Sequence, residues 1–468
     1  MSVPGPAPHR WLGRRRNAHE YAVDPVGYTA RLYHGYGPVA GLVHGDRRQV
    51  FAFGPEHNRT VLTRGDTFHT VLEYAIPQGI REARRGIGLL NMNGPEHRRA
   101  RRVATPSFKP QAALAHGELI ARLAAEEVDS WTPGEPFDLT DRMRRLTLRI
   151  ACLCFFGVDI AERADHIGRM VQDMLALRYF ASSIRYFPFD LPGTPYRRLL
   201  TVIRRLDDAL ADIIDTRRAG TGAPDLLQSL MDARGEDGER FDDDQLVGQL
   251  TTLLVAGHET SSNTLAWTLL LLSQHPAELD KLLAQIPERN PGTPAGPDFP
   301  QSLDHTLKEV LRLLPPGPNT ARIAVEPTAI GGHEIPAWCQ VVTSKYATHR
   351  DPAVFPEPLR FRPARWETLR PSLYEYLPYG AGPHACIGAA FADTEMKAVL
   401  AAVLGRYRID PVPGTTVSRQ VGLMMAPKGP VPVVARPRTD PAPPPTAVAG
   451  DLHEMVDLDG ETRWRLGW

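Results

Sequence analysis

The sequence predicts a mainly α-helical protein with a smaller β region, organised as one main domain followed by a tail. Segments with helical periodicity fill most of the chain, and strand-like runs are confined to two short regions. The 468 residues are 42% hydrophobic, enough for a large shared core. Length alone suggests two or three domains, but large single-site proteins break that prior.

Among the helical segments, PYRRLLTVIRRLDDALADIIDTRRAG is typical, and the longest is expected from about Asp243 to His275. Asp242, with Gln245 three residues on, has the pattern of a capping box, and Pro276 supplies the stop. Such a helix would span roughly 50 Å. Beyond PERNPGTPAGPDFP another helix is expected over Gln301–Leu314. The first strand region, PVAGLVHGDRRQVFAFG, reads as a hairpin turning at Gly45-Asp46. The second, ARIAVEPTAIGGHEIPAWCQVVTSKY, reads as short strands punctuated by Gly331-Gly332.

At the N-terminus, Arg14, Arg15 and Arg16 are followed by Glu20 and Asp24 rather than an apolar stretch, so neither a signal nor a transit peptide is expected. No run of about 18 apolar residues occurs, which argues against membrane insertion. After Arg436, PRTDPAPPPTAVAG reads as an extended, mobile proline-rich linker. The expected division is therefore a main domain over residues 1–438 and a linker and tail over 439–468. The last segment, DLHEMVDLDGETRWRLGW, either docks back or stays loose, with Trp464, Leu466 and Trp468 as its apolar surface. Truncation after Arg438 is expected to leave the main domain intact.

Fifty-four basic and 54 acidic side chains argue against a dedicated nucleic-acid or anionic-membrane binder. Four cysteines do not make a disulfide framework, and a reducing cytoplasm fits them best. Cys152 and Cys154 would point roughly 200° apart on a helix, which suits core packing better than a shared metal.

The decisive segment is LPYGAGPHACIGAAFADTEMKAVLAAVLGRYR. Glycines at 380, 382 and 388 surround Cys386, and a helical pattern begins just after it. A thiolate at a helix N-terminus is stabilised by the helix dipole and by free backbone N–H groups. The glycines let backbone approach a flat ligand closely. A haem iron held by thiolate is electron-rich, which favours O–O cleavage.

This segment resembles the haem-binding loop of the cytochrome P-450 family, Phe-x-x-Gly-x-Arg/His-x-Cys-x-Gly, as Tyr379, Gly382, His384, Cys386 and Gly388. Tyr379 departs from the pattern, keeping the aromatic ring and adding a hydroxyl. Three further motifs agree in order. In KEVLRLLPPG, Glu309 and Arg312 share a helix face and match the family's Glu-x-x-Arg, with Arg365 of FRPARW as the third member. The resemblance gives these a structural role near the cysteine.

LLVAGHETSSN resembles the oxygen-activation motif, as Ala256, Gly257, His258, Glu259 and Thr260. Gly257 would cost about 1 kcal/mol in an exposed helix interior, and with Thr260 it allows a local opening. An acid beside a hydroxyl can relay protons for heterolytic O–O cleavage, which makes Glu259 and Thr260 the expected catalytic pair. The alternative is a threonine bonding back to its i−4 carbonyl in a plain helix. His258 is expected to point elsewhere rather than ligate iron. In NGPEHRRARRVATPSF, His97 and Arg101 lie four apart on one face; the resemblance makes them haem-propionate partners, with Arg322 and His384. Arg98, Arg102, Lys397 and Arg406 form either a docking patch for an acidic ferredoxin or ordinary surface charge.

The resemblance covers Pro25 to Arg436. It implies the family's helical wedge with a minor β region, and haem b with Cys386 as axial ligand. It further implies a soluble, cytoplasmic enzyme of bacterial type that inserts one dioxygen atom into a lipophilic small molecule. Electrons would come from NAD(P)H through a separate ferredoxin and ferredoxin reductase. Terpenoid, polyketide and fatty-acid-like substrates all fit, in natural-product biosynthesis. The segments LEYAIPQGIREARRGIGLL and ALRYFASSIRYFPFDLPG are the expected pocket walls. A peroxide-driven haem enzyme of the same fold and a non-catalytic haem ligand-binding protein are the rivals, and Glu259-Thr260 argues against both.

Overall fold

The apolar pattern over 243–275 forms two helices rather than one, Asp243–Gly257 and Glu259–Gln274, interrupted at His258. The first starts on the expected capping box, with the Asp242 carboxylate accepting from the Gln245 N–H at 2.8 Å and the Gln245 amide oxygen accepting from the Asp242 N–H at 3.1 Å. The second is buried continuously from Ser261 to Ser273. A helix buried on every side belongs at the centre of a domain. Around it pack Leu139–Phe156, Gln301–Leu313 and Ala389–Leu404, whose apolar residues share one large core. Cys152 and Cys154 lie in that core.

The structure, a computed structural model, describes residues 2–72, 77–159, 167, 169–171, 173–174, 189–220, 225–235, 238–422, 424–441 and 444–458. Twelve strands occur among them: β1 (Val39–Gly41), β2 (Gln49–Ala52), β3 (Phe68–Thr70), β4 (Pro136–Asp138), β5 (Asn319–Ala324), β6 (Thr328–Ile330), β7 (His333–Ile335), β8 (Gln340–Ser344), β9 (Tyr407–Pro411), β10 (Arg419–Val421), β11 (Met425–Pro427) and β12 (Pro432–Pro437). β1 and β2 form the expected hairpin, and β6 and β7 turn at Gly331-Gly332, both at positive φ. The two strand regions, 270 residues apart, unite in one sheet of order β1-β2-β8-β5-β3, with β2 and β8 parallel. A mostly helical body with this smaller sheet is the fold class the sequence predicts.

The mobile-linker expectation is corrected at Val448, and of the two readings of the last segment the docked one holds over residues 451–458. Val448, Leu452, Met455 and Val456 are buried in the main core, and Leu452–Met455 is a short helix. Backbone bridges join Thr416 to Ala449 and Arg360 to Asp457. The apolar residues beyond the proline run find an open face of the core. Residues 459–468, with Trp464, Leu466 and Trp468, lie outside the described residues. No helix among the described residues is long and apolar enough to cross a membrane.

Candidate functional site

Cys386 sits in a tight loop just before the helix Ala389–Leu404. Its N–H donates to the Tyr379 carbonyl at 2.8 Å, which closes the loop. Gly380 and Gly382 both have φ near +70°, and a Cβ on Gly382 would stand 2.0 Å from the Leu62 carbonyl oxygen. Only glycine fits there. Gly388 caps the helix and faces open space, where a Cβ would meet nothing within 4 Å. The cysteine side chain is accessible from the cavity it lines. Burial raises its thiol pKa, opposed by the Gly388 N–H and by the charges of Lys345 and Arg101.

The cavity over Cys386 gathers most of the expected site residues: His97, Arg101, Thr260, Arg322 and His384 line it with the cysteine. Glu259 does not line it and lies half-buried at the start of its helix. His97 and Arg101 project from the helix Gly94–Ala104, Arg322 from the middle of β5, and His384 from the cysteine loop. The His97 and His384 rings stack with centroids 3.9 Å apart. Burial, aided by the neighbouring arginines, depresses both pKa values, to about 4 and about 3. Both rings are therefore neutral at pH 7.

The structure adds a residue that the motifs missed. Lys345, the first residue of the short helix Lys345–Thr348 that follows β8, reaches the same cavity, where its ammonium donates to the Pro378 carbonyl at 3.4 Å. Burial lowers its pKa to about 8. Burial likewise lowers Arg322 to about 10. No carboxylate among the described residues pairs with Arg101, Arg322 or Lys345, although ion pairs are plentiful elsewhere on the surface. Three cations gathered on one largely apolar cavity, with Arg322 buried and Arg101 and Lys345 partly so, are costly unless an anionic ligand completes them. A flat ligand with two carboxylates and a metal that takes a thiolate meets that demand, and haem is such a group. The one sequence signal for Lys345 was a lysine set between the apolar runs of VVTSKYA.

Above the cysteine, the break at His258 leaves Ala256, Gly257 and Thr260 on the cavity wall. The Thr260 hydroxyl donates to the Ala256 carbonyl at 3.0 Å, the back-bond of the alternative reading, but at an interrupted helix rather than a plain one. His258 is fully buried and turned away, its Nδ1 2.6 Å from the Leu254 carbonyl oxygen. Of the expected pocket walls, Leu89 and Leu90 line the cavity; residues 73–76 and 176–188 lie outside the described residues. Phe189 and Leu191, which are described, are exposed.

The Glu309 network forms as expected and lies outside the cavity lining. Arg312 grips Glu309 with two bonds of 2.9 Å, and Arg365 Nε donates to the same carboxylate at 2.9 Å. Trp366 Nε1 and the Arg362 N–H each donate at 3.0 Å. Burial would raise the Glu309 pKa, but the Arg312 charge and these bonds outweigh it and hold the group below the ordinary carboxylate range. In the suggested docking patch, Arg98 pairs with Asp66, Lys397 with Asp304 and Asp393, and Arg406 with Asp129. These acidic partners favour ordinary surface charge.

A cysteine loop at a helix N-terminus, facing uncompensated cations across one cavity, defines a haem-thiolate protein. The family model for cytochrome P450 matches residues 3–433, and the chain belongs to that family. It is 34% identical over 430 residues to the cyclooctat-9-en-7-ol 5-monooxygenase of Streptomyces melanosporofaciens, covering 88% of this chain and 91% of that one. It is 32% identical over 439 residues to cyclooctatin synthase of the same organism, covering 89% and 92%. The crystal structure of the cytochrome P450DA heme domain superposes with a TM-score of 0.79 at 26% identity, over 93% of this chain and 98% of that one. The protein is a haem-thiolate monooxygenase.

Proposed function

We propose that the enzyme hydroxylates or epoxidises a lipophilic terpenoid in natural-product biosynthesis, with a polyketide as the second substrate class. The observation that carries this reading is the cavity lining, where Leu89, Leu90, Phe108, Leu253, Ala256 and Met424 leave few polar groups to orient a ligand. A ring system with one or two hydroxyls suits such a surface, since apolar area supplies the affinity and Gln249 or Thr252 the orientation. The two cyclooctatin-pathway relatives, each about one-third identical, support the terpenoid class.

In this reading Cys386 would hold the haem iron, and Arg101, Arg322, Lys345, His97 and His384 would hold its carboxylates. When bound, the haem supplies dioxygen activation and transfer of one oxygen atom to carbon. The reaction consumes two electrons and two protons, and the second oxygen atom leaves as water. The Thr260 hydroxyl holds a proton at the cavity wall, and Glu259, the adjoining residue, replaces it once it is given up. The apolar wall excludes bulk water, so protons enter by that route. Electrons come from NAD(P)H through a ferredoxin and its reductase.

The test is a spectral-shift screen on the holoenzyme with cyclic diterpene alcohols, macrolide precursors and fatty acids. Saturable displacement of iron-bound water is expected with the diterpene alcohols, followed by hydroxylated product with NADPH and a surrogate ferredoxin system. Binding confined to fatty acids, or turnover with peroxide but not with NADPH, would overturn the reading.

A further inference from the structure

Met424 lines the haem cavity from the turn between β10 and β11. That hairpin has three register pairs and, among the described residues, joins no larger sheet. An isolated pair of this size is marginal in water, so its position depends on what braces it. On one side the Met425 N–H donates to the Pro316 carbonyl at 2.7 Å. On the other side the brace is the first residue of β10, Arg419.

Arg419 is 9% exposed and meets three carboxylates distant from it in sequence. One terminal nitrogen is 3.1 Å from Asp24; the other is 3.1 Å from Glu454 and 3.5 Å from Asp451. The Arg419 N–H also donates to Asp451 at 2.7 Å. Asp24 itself caps the helix Pro25–Tyr36 through the Gly27 N–H, so this anchor is rigid. Just before β10, the Val417 N–H donates to the Ala449 carbonyl at 2.7 Å, and the Leu452 N–H donates to the Val417 carbonyl. Gly450 makes that approach feasible: its φ is +108°, and a Cβ there would stand 2.2 Å from the Val417 carbonyl oxygen. Val448, Leu452 and Met455 seal the contact, and the buried Arg350 donates to the Met455 carbonyl at 3.0 Å.

We propose that residues 446–458 form a strap that, through Arg419, positions the Met424 wall of the substrate cavity and so helps set which ligands fit. Arg419 is a positioning residue: it does not line the cavity, and it acts through the hairpin. The inference rests on the reading of that cavity as a substrate site, but its test does not depend on the substrate's identity.

The probes are imidazole, which needs only the iron, and clotrimazole, whose bulk presses on the cavity wall. The Kd of each is measured on the holoenzyme by the Soret shift. Arg419→Ala and the double variant Asp451→Asn/Glu454→Gln are expected to weaken clotrimazole about tenfold. Imidazole affinity and the ferrous carbon-monoxide band should stay at wild-type values, and Arg419→Lys should recover part of the loss. With Met424→Ala already present, Arg419→Ala should cost much less, because both act on the same wall. The double carboxamide variant decides the matter if Arg419→Ala fails to take up haem. Unchanged clotrimazole affinity, equal loss of both probes, or additive effects with Met424→Ala would each overturn the proposal. The substrate reading stands or falls separately, on the wild-type ligand screen.

Discussion

Glu395 lies on the helix Ala389–Leu404, 1% exposed. Neither of its carboxylate oxygens carries a well-formed hydrogen bond. The Ser261 hydroxyl, which offers a weak stabilising pull, is turned toward the Gly257 carbonyl at 3.4 Å. Burial dominates and raises the pKa from 4.5 to about 8, so the group is a neutral acid in the folded protein at pH 7. The stability linked to this raised pKa is complete below pH 4.5 and is lost as pH rises through about 8. At pH 7 the penalty relative to a non-titrating side chain is roughly 3 kcal/mol. For a chain of this length, 1 kcal/mol corresponds to about 1 °C in Tm. Glu395→Gln keeps shape and polarity and removes the titration. Thermal unfolding followed by far-UV circular dichroism should show little gain at about pH 5, roughly 3 °C at pH 7, and a plateau above about pH 8. A gain independent of pH, or one that shrinks toward pH 8, would refute the assignment of a neutral buried acid.

Cys386→Ala should abolish the red-shifted Soret band of the ferrous carbon-monoxide complex, while Cys152→Ser and Cys339→Ser, both buried away from the cavity, should retain it. A normal band in the Cys386 variant would end its assignment as ligand. Glu309→Gln strands two buried guanidinium groups and should cost about 3 to 5 kcal/mol, read as a lower urea midpoint; an unchanged midpoint would contradict the buried network. Thr260→Ala should bind haem and consume NADPH as before, yet divert oxygen to hydrogen peroxide. Product formed per NADPH equal to wild type would refute the proton role of its hydroxyl.

Local patterns were legible wherever one element carries the information. The capping box at Asp242, the Gly45-Asp46 and Gly331-Gly332 turns, and the cysteine loop each depend on residues a few positions apart, where backbone geometry alone relates side chain to side chain. The Glu309–Arg312 pair is of the same kind, and Arg365 followed from its motif. The break at His258 was less plain, because apolar periodicity runs straight through it. Its only local marks were Gly257 and the polar run after it.

By itself, then, the sequence determined the mainly helical class and singled out Cys386, His97, Arg101, Arg322 and His384, which the fold brings to one cavity. Tertiary structure decided which charges are left without partners. Lys345 and Glu395 look like ordinary surface residues in sequence, and only the packing around them removes water and partners. The same is true of the tail. A proline-rich run specifies a local backbone conformation, but whether the residues beyond it dock depends on an apolar face and on an arginine placed to meet Asp451 and Glu454. Arg419 and Asp24 are 395 positions apart, and no local periodicity relates residues at that distance. Their meeting is a property of the assembled core, where desolvation makes a carboxylate near an arginine a fixed part of the architecture.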